Sequence, residues 1–226
     1  MLIEEVIKMK KYDTVIFDLD GTLLDSLDDL TAAINYVMGK HGYPEHTREA
    51  VRGFVGNGVV RLLECAVPNG KENPDFDACL SEYRAYYESH AMVHTRPYDG
   101  VMNLLENLLK DGCKVAVVSN KQDAAVKSLC AQCFPSINCA MGEMESRGIR
   151  RKPYPDMVIE TIKQLGSVKE RCCYIGDSEV DIETAKNTGI DCISVTWGFR
   201  EADFLRKQGA SMIADNADEV LALLNA

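Results

Sequence analysis

Long apolar runs are missing from this chain. No stretch approaches the roughly 20 consecutive apolar residues that a membrane-spanning helix needs, which argues against a transmembrane protein. Positive charge is also short. Lys and Arg number 25 against 35 Asp and Glu, for a formal net charge of −10. A general nucleic-acid binder needs a positive surface to neutralise phosphates, so the balance argues against that class. An anionic substrate would have to find a local positive site, because the field of the whole molecule does not attract it. Histidine is scarce as well: His41, His46, His90 and His94 are the four residues of that type. Internal repeats and low-complexity tracts are absent. The start, Met1 to Lys11, lacks the basic opening and apolar middle of a signal peptide.

What is present is ordinary for a soluble globular chain. Hydrophobic residues make up 46% and charged residues 27% of 226 residues, enough for a sizeable core in one domain, or in one domain with a smaller one inserted. Cysteine is plentiful, with nine residues. Cys113, Cys172, Cys173 and Cys192 lie in or beside apolar runs, as reduced core thiols do. An odd count in such places fits a reducing cytosol better than a disulfide framework. Cys130 and Cys133 form a CxxC, but Val126, Leu129, Cys130 and Cys133 share helical spacing. No second pair stands at zinc spacing, so a helix face is the better reading.

Thr14 to Asp18 (TVIFD) is a short β-rich run that ends in acid and glycine. Similar runs recur at Lys114–Ser119, Cys172–Ile175 and Asp191–Val195, with a weaker one at Ser211–Ala214. Helical patterns lie between them: Val101 to Leu109, ended by Asp111-Gly112, and Met157 to Leu165, ended by Gly166. Alternation of this kind predicts βαβ units and a parallel sheet. The nearly continuous apolar strands predict helices on both faces. From about Ser26 to Met92 no strand is expected. Three apolar helical stripes appear instead, starting near Leu27, Val59 and Phe76. The division expected is therefore an α/β core, residues 1–24 and 96–226, interrupted by a small helical cap, residues 25–95. The expected hinges are Leu23–Ser26 and Val93–Tyr98.

The polar residues after each strand carry the chemistry. Asp18 and Asp20 stand at i and i+2, which in an extended chain points both carboxylates the same way. Gly21 then permits a turn. Carboxylates this close repel unless a cation or proton intervenes; a capped turn is the plainer alternative. Ser119-Asn120 reads either as the cap of the next helix or as a hydroxyl donor aimed at an anion. Lys152 sits in Arg150-Arg151-Lys152-Pro153, where a charge run usually means solvated surface. Asp177 and Asp181 follow the CCYI strand and read as metal carboxylates or as another capped turn. Ligands of open parallel sheets bind beyond the carboxyl ends of the strands, and these groups, standing after strands or on a loop leading from one, are expected to converge there. Acids for a hard cation, with a lysine and a hydroxyl for anionic oxygens, make a phosphate site. Gly56-Asn57-Gly58 interrupts two apolar helical patterns. It reads as a plain interhelical turn, or as a turn whose free N–H groups bind a small carboxylate.

Asp18-Leu19-Asp20-Gly21-Thr22, Ser119, Lys152-Pro153 and Gly176-Asp177 through Asp181 stand in the order DxDGT, S/T, K-P and GDxxxD. In this the chain resembles the haloacid dehalogenase superfamily, and within it the phosphoglycolate phosphatase group. Phe54-Val55-Gly56-Asn57-Gly58 and Val195-Thr196-Trp197-Gly198-Phe199 are similar to that group's patterns. The resemblance implies a Rossmann-like α/β core with an inserted α-helical cap, and a phosphatase of small monoesters, 2-phosphoglycolate first among them. It implies that Asp18 is the nucleophile that forms an aspartyl-phosphate and that Asp20 is the general acid and base. Ser119 and Lys152 would hold phosphoryl oxygens, with Thr22, Asn120 and the Gly56, Asn57 and Gly58 turn beside the substrate. Mg2+ would be held by Asp18, the backbone carbonyl of Asp20 and Asp177, with Asp181 orienting a water or Lys152. The partner expected is a small phosphorylated metabolite, with no nucleic acid and no membrane, for a cytoplasmic monomer or homodimer.

A metal-free dehalogenase and a phosphonate-cleaving relative would both lack the second acid, Asp20. A phosphosugar mutase of this kind usually carries a histidine soon after the first motif, and Asp25-Ser26-Leu27-Asp28-Asp29 has none. Pyrophosphatase and nucleotidase are nearer rivals, since only the cap would differ. A non-catalytic binding protein would be expected to lose a motif residue, and none is lost.

Overall fold

The computed structural model describes residues 11–226. Residues 1–10, which the sequence reading assigns to the core and finds unlike a signal peptide, lie outside the described residues. Short runs form the strands. They are β1 (Thr14–Phe17), β2 (Leu24–Asp25), β3 (Arg96–Pro97), β4 (Lys114–Gln122), β5 (Cys139–Glu143), β6 (Cys172–Gly176), β7 (Asp191–Val195) and β8 (Met212–Ala214). Those of β1, β4, β6 and β7 are rich in β-branched and aromatic residues. All but β2 and β3 join one parallel sheet in the order β5-β4-β1-β6-β7-β8. The helices are α1 (Leu27–Lys40), α2 (Arg48–Phe54), α3 (Gly58–Ala66), α4 (Phe76–His90), α5 (Val101–Lys110), α6 (Asp123–Cys133), α7 (Asp156–Gln164), α8 (Glu179–Thr188), α9 (Ala202–Lys207) and α10 (Ala217–Leu224).

Alternation along the strands fills two cores. Val15 and Phe17 pack with Val115, Val117 and Ile175 against Leu104, Leu129 and Val220 on one face. Ile16 packs with Ala116, Val118 and Tyr174 against Met157, Val158 and Ile162 on the other. Both faces are covered, which is why the strands read as unbroken apolar runs. The sheet turns from one direction to the other around β1, whose neighbours are β4 and β6. Phe17 is in register with Val117 on one side and Ile175 on the other. The residues that follow these three strands therefore share one end of the sheet.

Helices α1 to α4 lie between β2 and β3 and bury an apolar core of their own, in which Ile34, Val37 and Met38 meet Leu63, Cys79 and Tyr83. The two chain crossings into and out of this unit pair with one another, Leu24 with Pro97 and Asp25 with Arg96. Asp29 fastens the same place. Its buried carboxylate accepts from the His94 and Thr95 N–H groups and from the Thr95 hydroxyl at 2.7–3.0 Å. The short helix α2 and the edge strand β5 were not expected from sequence. Among the described residues no helix is long and apolar enough to cross a membrane.

Candidate active site

Asp18 leaves the central strand and is largely buried. Strand geometry stops at Phe17, and a bend at Leu19 replaces the extended chain that the sequence reading assumed for Asp18 and Asp20. Both residues nevertheless line one cavity, and their partners differ. Lys152 Nζ pairs with Asp18 Oδ1 at 2.9 Å, deep in the protein. Asp20 accepts instead from Ser26 Oγ at 2.6 Å and from Lys121 Nζ at 2.9 and 3.0 Å. Lys121 Nζ also donates to the Tyr87 hydroxyl of α4 at 2.8 Å and lies over the Tyr87 ring.

Asp177 and Asp181 follow β6. Thr22 Oγ1 donates to Asp177 Oδ1 at 3.0 Å and the Phe199 N–H to its Oδ2 at 2.7 Å. Thr22 is thus buried against an acid and does not line the cavity. Gly21, at φ +88°, gives Asp177 its room, since a Cβ there would strike the Asp177 carboxylate. Asp181 caps the start of α8, its Oδ2 accepting the Ser178 N–H at 3.1 Å and hydroxyl at 2.6 Å. Its Oδ1 accepts from Lys152 Nζ at 2.7 Å. One residue therefore both caps the turn and meets the Lys152 ammonium. Lys152 Nζ donates further to the Tyr174 hydroxyl at 3.1 Å. The basic run around it divides: Arg150 pairs with Asp156 at the surface, whereas Lys152 is 2% exposed.

Ser119 and Asn120 belong to β4, which runs to Gln122, so Ser119 is not the cap of the next helix. Asn120 clamps the Lys152 segment and also donates to the Gly56 carbonyl at 3.1 Å. Gly56 and Gly58 line the cavity, at φ +124° and +79°, while Asn57 stands just before α3 without a capping hydrogen bond from its side chain and is not among the lining residues. Cys130 and Cys133 both lie on α6, and burial pushes both thiols up, Cys130 to about 12.

Charge crowding dominates the electrostatics. Burial raises the Asp18 carboxyl to about 6, with Lys152 opposing and Asp181 assisting. Burial, then Asp181 and Asp18, push Asp177 well above the usual carboxylate range. Burial works against the Lys152 ammonium, but Asp18 and Asp181 outweigh it and keep it protonated. Asp18, Asp177 and Asp181 each offer an oxygen, and these atoms lie within 4.8 Å of one another. A hard cation with oxygen preference fits this set. It would meet one oxygen of each acid and relieve the repulsion that otherwise favours protonation.

A parallel α/β sheet with two acids after its central strand, and a lysine and two further acids beside them, is an arrangement suited to phosphoryl-transfer hydrolases. The chain belongs to the haloacid dehalogenase-like hydrolase family, which matches residues 15–195. A Pseudomonas putida phosphoglycolate phosphatase is 32% identical, with 92% of this chain and 78% of that one covered. An N-acetylmuramic acid 6-phosphate phosphatase of Pseudomonas aeruginosa is 28% identical over 96% of this chain and 97% of that one. A crystal structure from Lactobacillus delbrueckii subsp. bulgaricus, provisionally assigned as a phosphoglycolate phosphatase, is 38% identical with a TM-score of 0.90. It covers 96% of this chain and 99% of that one. The protein is a phosphoric monoester hydrolase. Phosphatases of this family generally use magnesium.

Proposed function

We propose that this enzyme hydrolyses small phosphate monoesters, 2-phosphoglycolate among them, through an aspartyl-phosphate on Asp18. The observation that carries the reading is the largely buried Asp18 carboxylate, which belongs to the lining of the cavity and is paired with the Lys152 ammonium at 2.9 Å. A carboxylate placed this way can offer one oxygen to phosphorus and the other to a cation. Asp18 attacks the phosphorus atom and the ester P–O bond breaks. Asp20 hands a proton to the departing alkoxide, then takes one from the water that attacks the aspartyl-phosphate, which frees inorganic phosphate and restores Asp18. Lys152 and Ser119 hold phosphoryl oxygens, and Asn120 keeps Lys152 in place. Asp18, Asp177 and the backbone carbonyl of Asp20 would hold magnesium, whose charge offsets that of the phosphate and the clustered acids. Asp181 fixes Lys152, and Thr22 fixes Asp177.

Residues 25–95 act as the cap in this reading. The Gly56, Asn57 and Gly58 turn sits against the alcohol part of the substrate, and closure excludes water. P. putida phosphoglycolate phosphatase and its namesakes support 2-phosphoglycolate as a substrate. Nine free cysteines fit a reducing compartment, and we place the enzyme in the cytosol as a monomer or homodimer. Asp18→Asn tests the assignment. It should cut phosphate release from 2-phosphoglycolate by several orders of magnitude, with circular dichroism and melting temperature retained. Near-normal turnover by the folded variant would remove Asp18 from the chemistry.

A further inference from the structure

The cavity that begins at Asp18 and Asp20 has a volume of ≈ 620 Å³. That is within the range of about 300–1,000 Å³ that holds drug-sized ligands, and a two-carbon acid on a phosphate leaves much of it empty. The space runs from the acids between the cap and α6. On the cap side Val55, Val59 and Leu62 lead to Tyr83 of α4 and on to Met92. On the core side the facing residues are Ala124, Ala125, Ser128 and Leu129 of α6. Small side chains on α6 widen the channel where larger ones would close it. Leu62, Tyr83 and Leu129 are buried, Val55, Val59 and Ala125 half-buried, and Met92 exposed.

Charge is distributed differently. Of the cations on this wall, Lys121 is engaged by Asp20 and Tyr87. Arg84 is exposed at the rim, with Glu88 one turn along α4. Among the described lining residues Lys121 and Arg84 are the cations, and Ser89, Gln122, Ser128 and Gln132 add neutral polar groups. Beyond Lys121 the wall therefore offers apolar and neutral surface and no free buried ammonium or guanidinium. A second carboxylate carried deep into it would lose water without gaining a counter-charge. A carbon-rich body would shed water favourably there.

We infer that the site is built for phosphate monoesters whose alcohol is a ring-sized body with an apolar face, and that it prefers them to 2-phosphoglycolate. The inference rests on the phosphatase reading of Asp18 and Asp20 and names its substrate class. In the productive pose the phosphoryl group meets Asp18, the ester oxygen meets Asp20, and the ring lies between Val59 and Ala125. The products are the free alcohol and inorganic phosphate.

The test compares kcat/KM for ethyl phosphate, 2-phosphoglycolate and cyclohexylmethyl phosphate with magnesium present. All are esters of primary alcohols, so binding of the body and not leaving-group chemistry decides the order. Cyclohexylmethyl phosphate should exceed both others by about tenfold or more, the scale of discrimination that apolar pockets achieve. Ala125→Trp, which fills the channel, should lower the ratio of cyclohexylmethyl to ethyl phosphate by about tenfold or more. Ser128→Phe, at an exposed position of the same helix face, repeats the measurement if Ala125→Trp does not fold. Preference for 2-phosphoglycolate, or a ratio that neither variant moves, would overturn the inference and leave the phosphatase standing. Hydrolysis of none of the three esters would overturn the phosphatase reading itself.

Discussion

Asn120 and Lys152 are joined by two hydrogen bonds of opposite sense. Asn120 Nδ2 donates to the Lys152 carbonyl at 3.0 Å, and the Lys152 N–H donates to Asn120 Oδ1 at 2.8 Å. One side chain thereby satisfies both backbone groups of a buried residue and fixes where its ammonium emerges. The same Nδ2 reaches the Gly56 carbonyl, so the end of β4, the Lys152 segment and the α2–α3 turn are tied at one point.

Asn120→Ala should therefore do more than lower stability. Leaving buried backbone groups unpaired costs about 1–3 kcal/mol each, readable by urea unfolding. Displacement of Lys152 should lower kcat by roughly tenfold to a hundredfold. Asn120→Asp keeps the acceptor but sets a carboxylate against two carbonyls, and should be no better. A variant that loses stability with kcat intact would show that Lys152 is positioned by Asp18 and Asp181 alone.

Divalent cation should matter for folding as well as for turnover. Asp18, Asp177 and Asp181 crowd three carboxylates together, and one ammonium, Lys152, pairs with Asp18 and Asp181 alone among them. Excess chelator should abolish hydrolysis and lower the melting temperature. Magnesium at about 100 times its dissociation constant should restore about 2.7 kcal/mol. Calcium, larger and wanting more ligands, should restore stability but little activity. Asp177→Ala should remove the magnesium-induced rise in melting temperature; a rise of ordinary size would exclude Asp177 as a ligand.

Most of the site was legible because its residues follow strands. Asp18 after β1, Ser119 in β4 and Asp177 after β6 sit on three adjacent strands, and apolar runs punctuated by acid or hydroxyl can be read locally. Lys121, Ser26 and Tyr87 were not read as functional. Lys121 looks like a solvated charge after Asn120, and Tyr87 looks like one more aromatic on a helical stripe. Their meaning appears only when α4 is laid over the end of β4, a long-range contact that no local pattern encodes. Helix α2 escaped notice because its seven residues bury only Val51. Strand β5, CAMGE, has no β-branched residue and pairs on one edge only.

The turn at Gly58 changes one expectation. On sequence grounds Gly58→Val would alter discrimination between substrates while sparing the chemistry. In the structure Gly58 has φ +79°, and a Cβ there would lie 3.2 Å from the Asn120 carbonyl oxygen. Strain at the turn passes to the Asn120–Lys152 clamp. Gly58→Val should lower kcat on 2-phosphoglycolate and on a small aryl phosphate together, by about tenfold or more, with a backbone cost of about 1–3 kcal/mol. Loss confined to 2-phosphoglycolate would separate the turn from the clamp.

The central claim is that phosphorus is attacked twice, first by Asp18 and then by water. The stereochemical course at phosphorus measures this directly. A chiral, isotopically labelled thiophosphate ester is hydrolysed in heavy-oxygen water and the configuration of the product is read. Two in-line displacements, the first by Asp18, predict net retention. Net inversion would mean a single attack by water, with Asp18 reduced to a metal ligand, and would contradict the account.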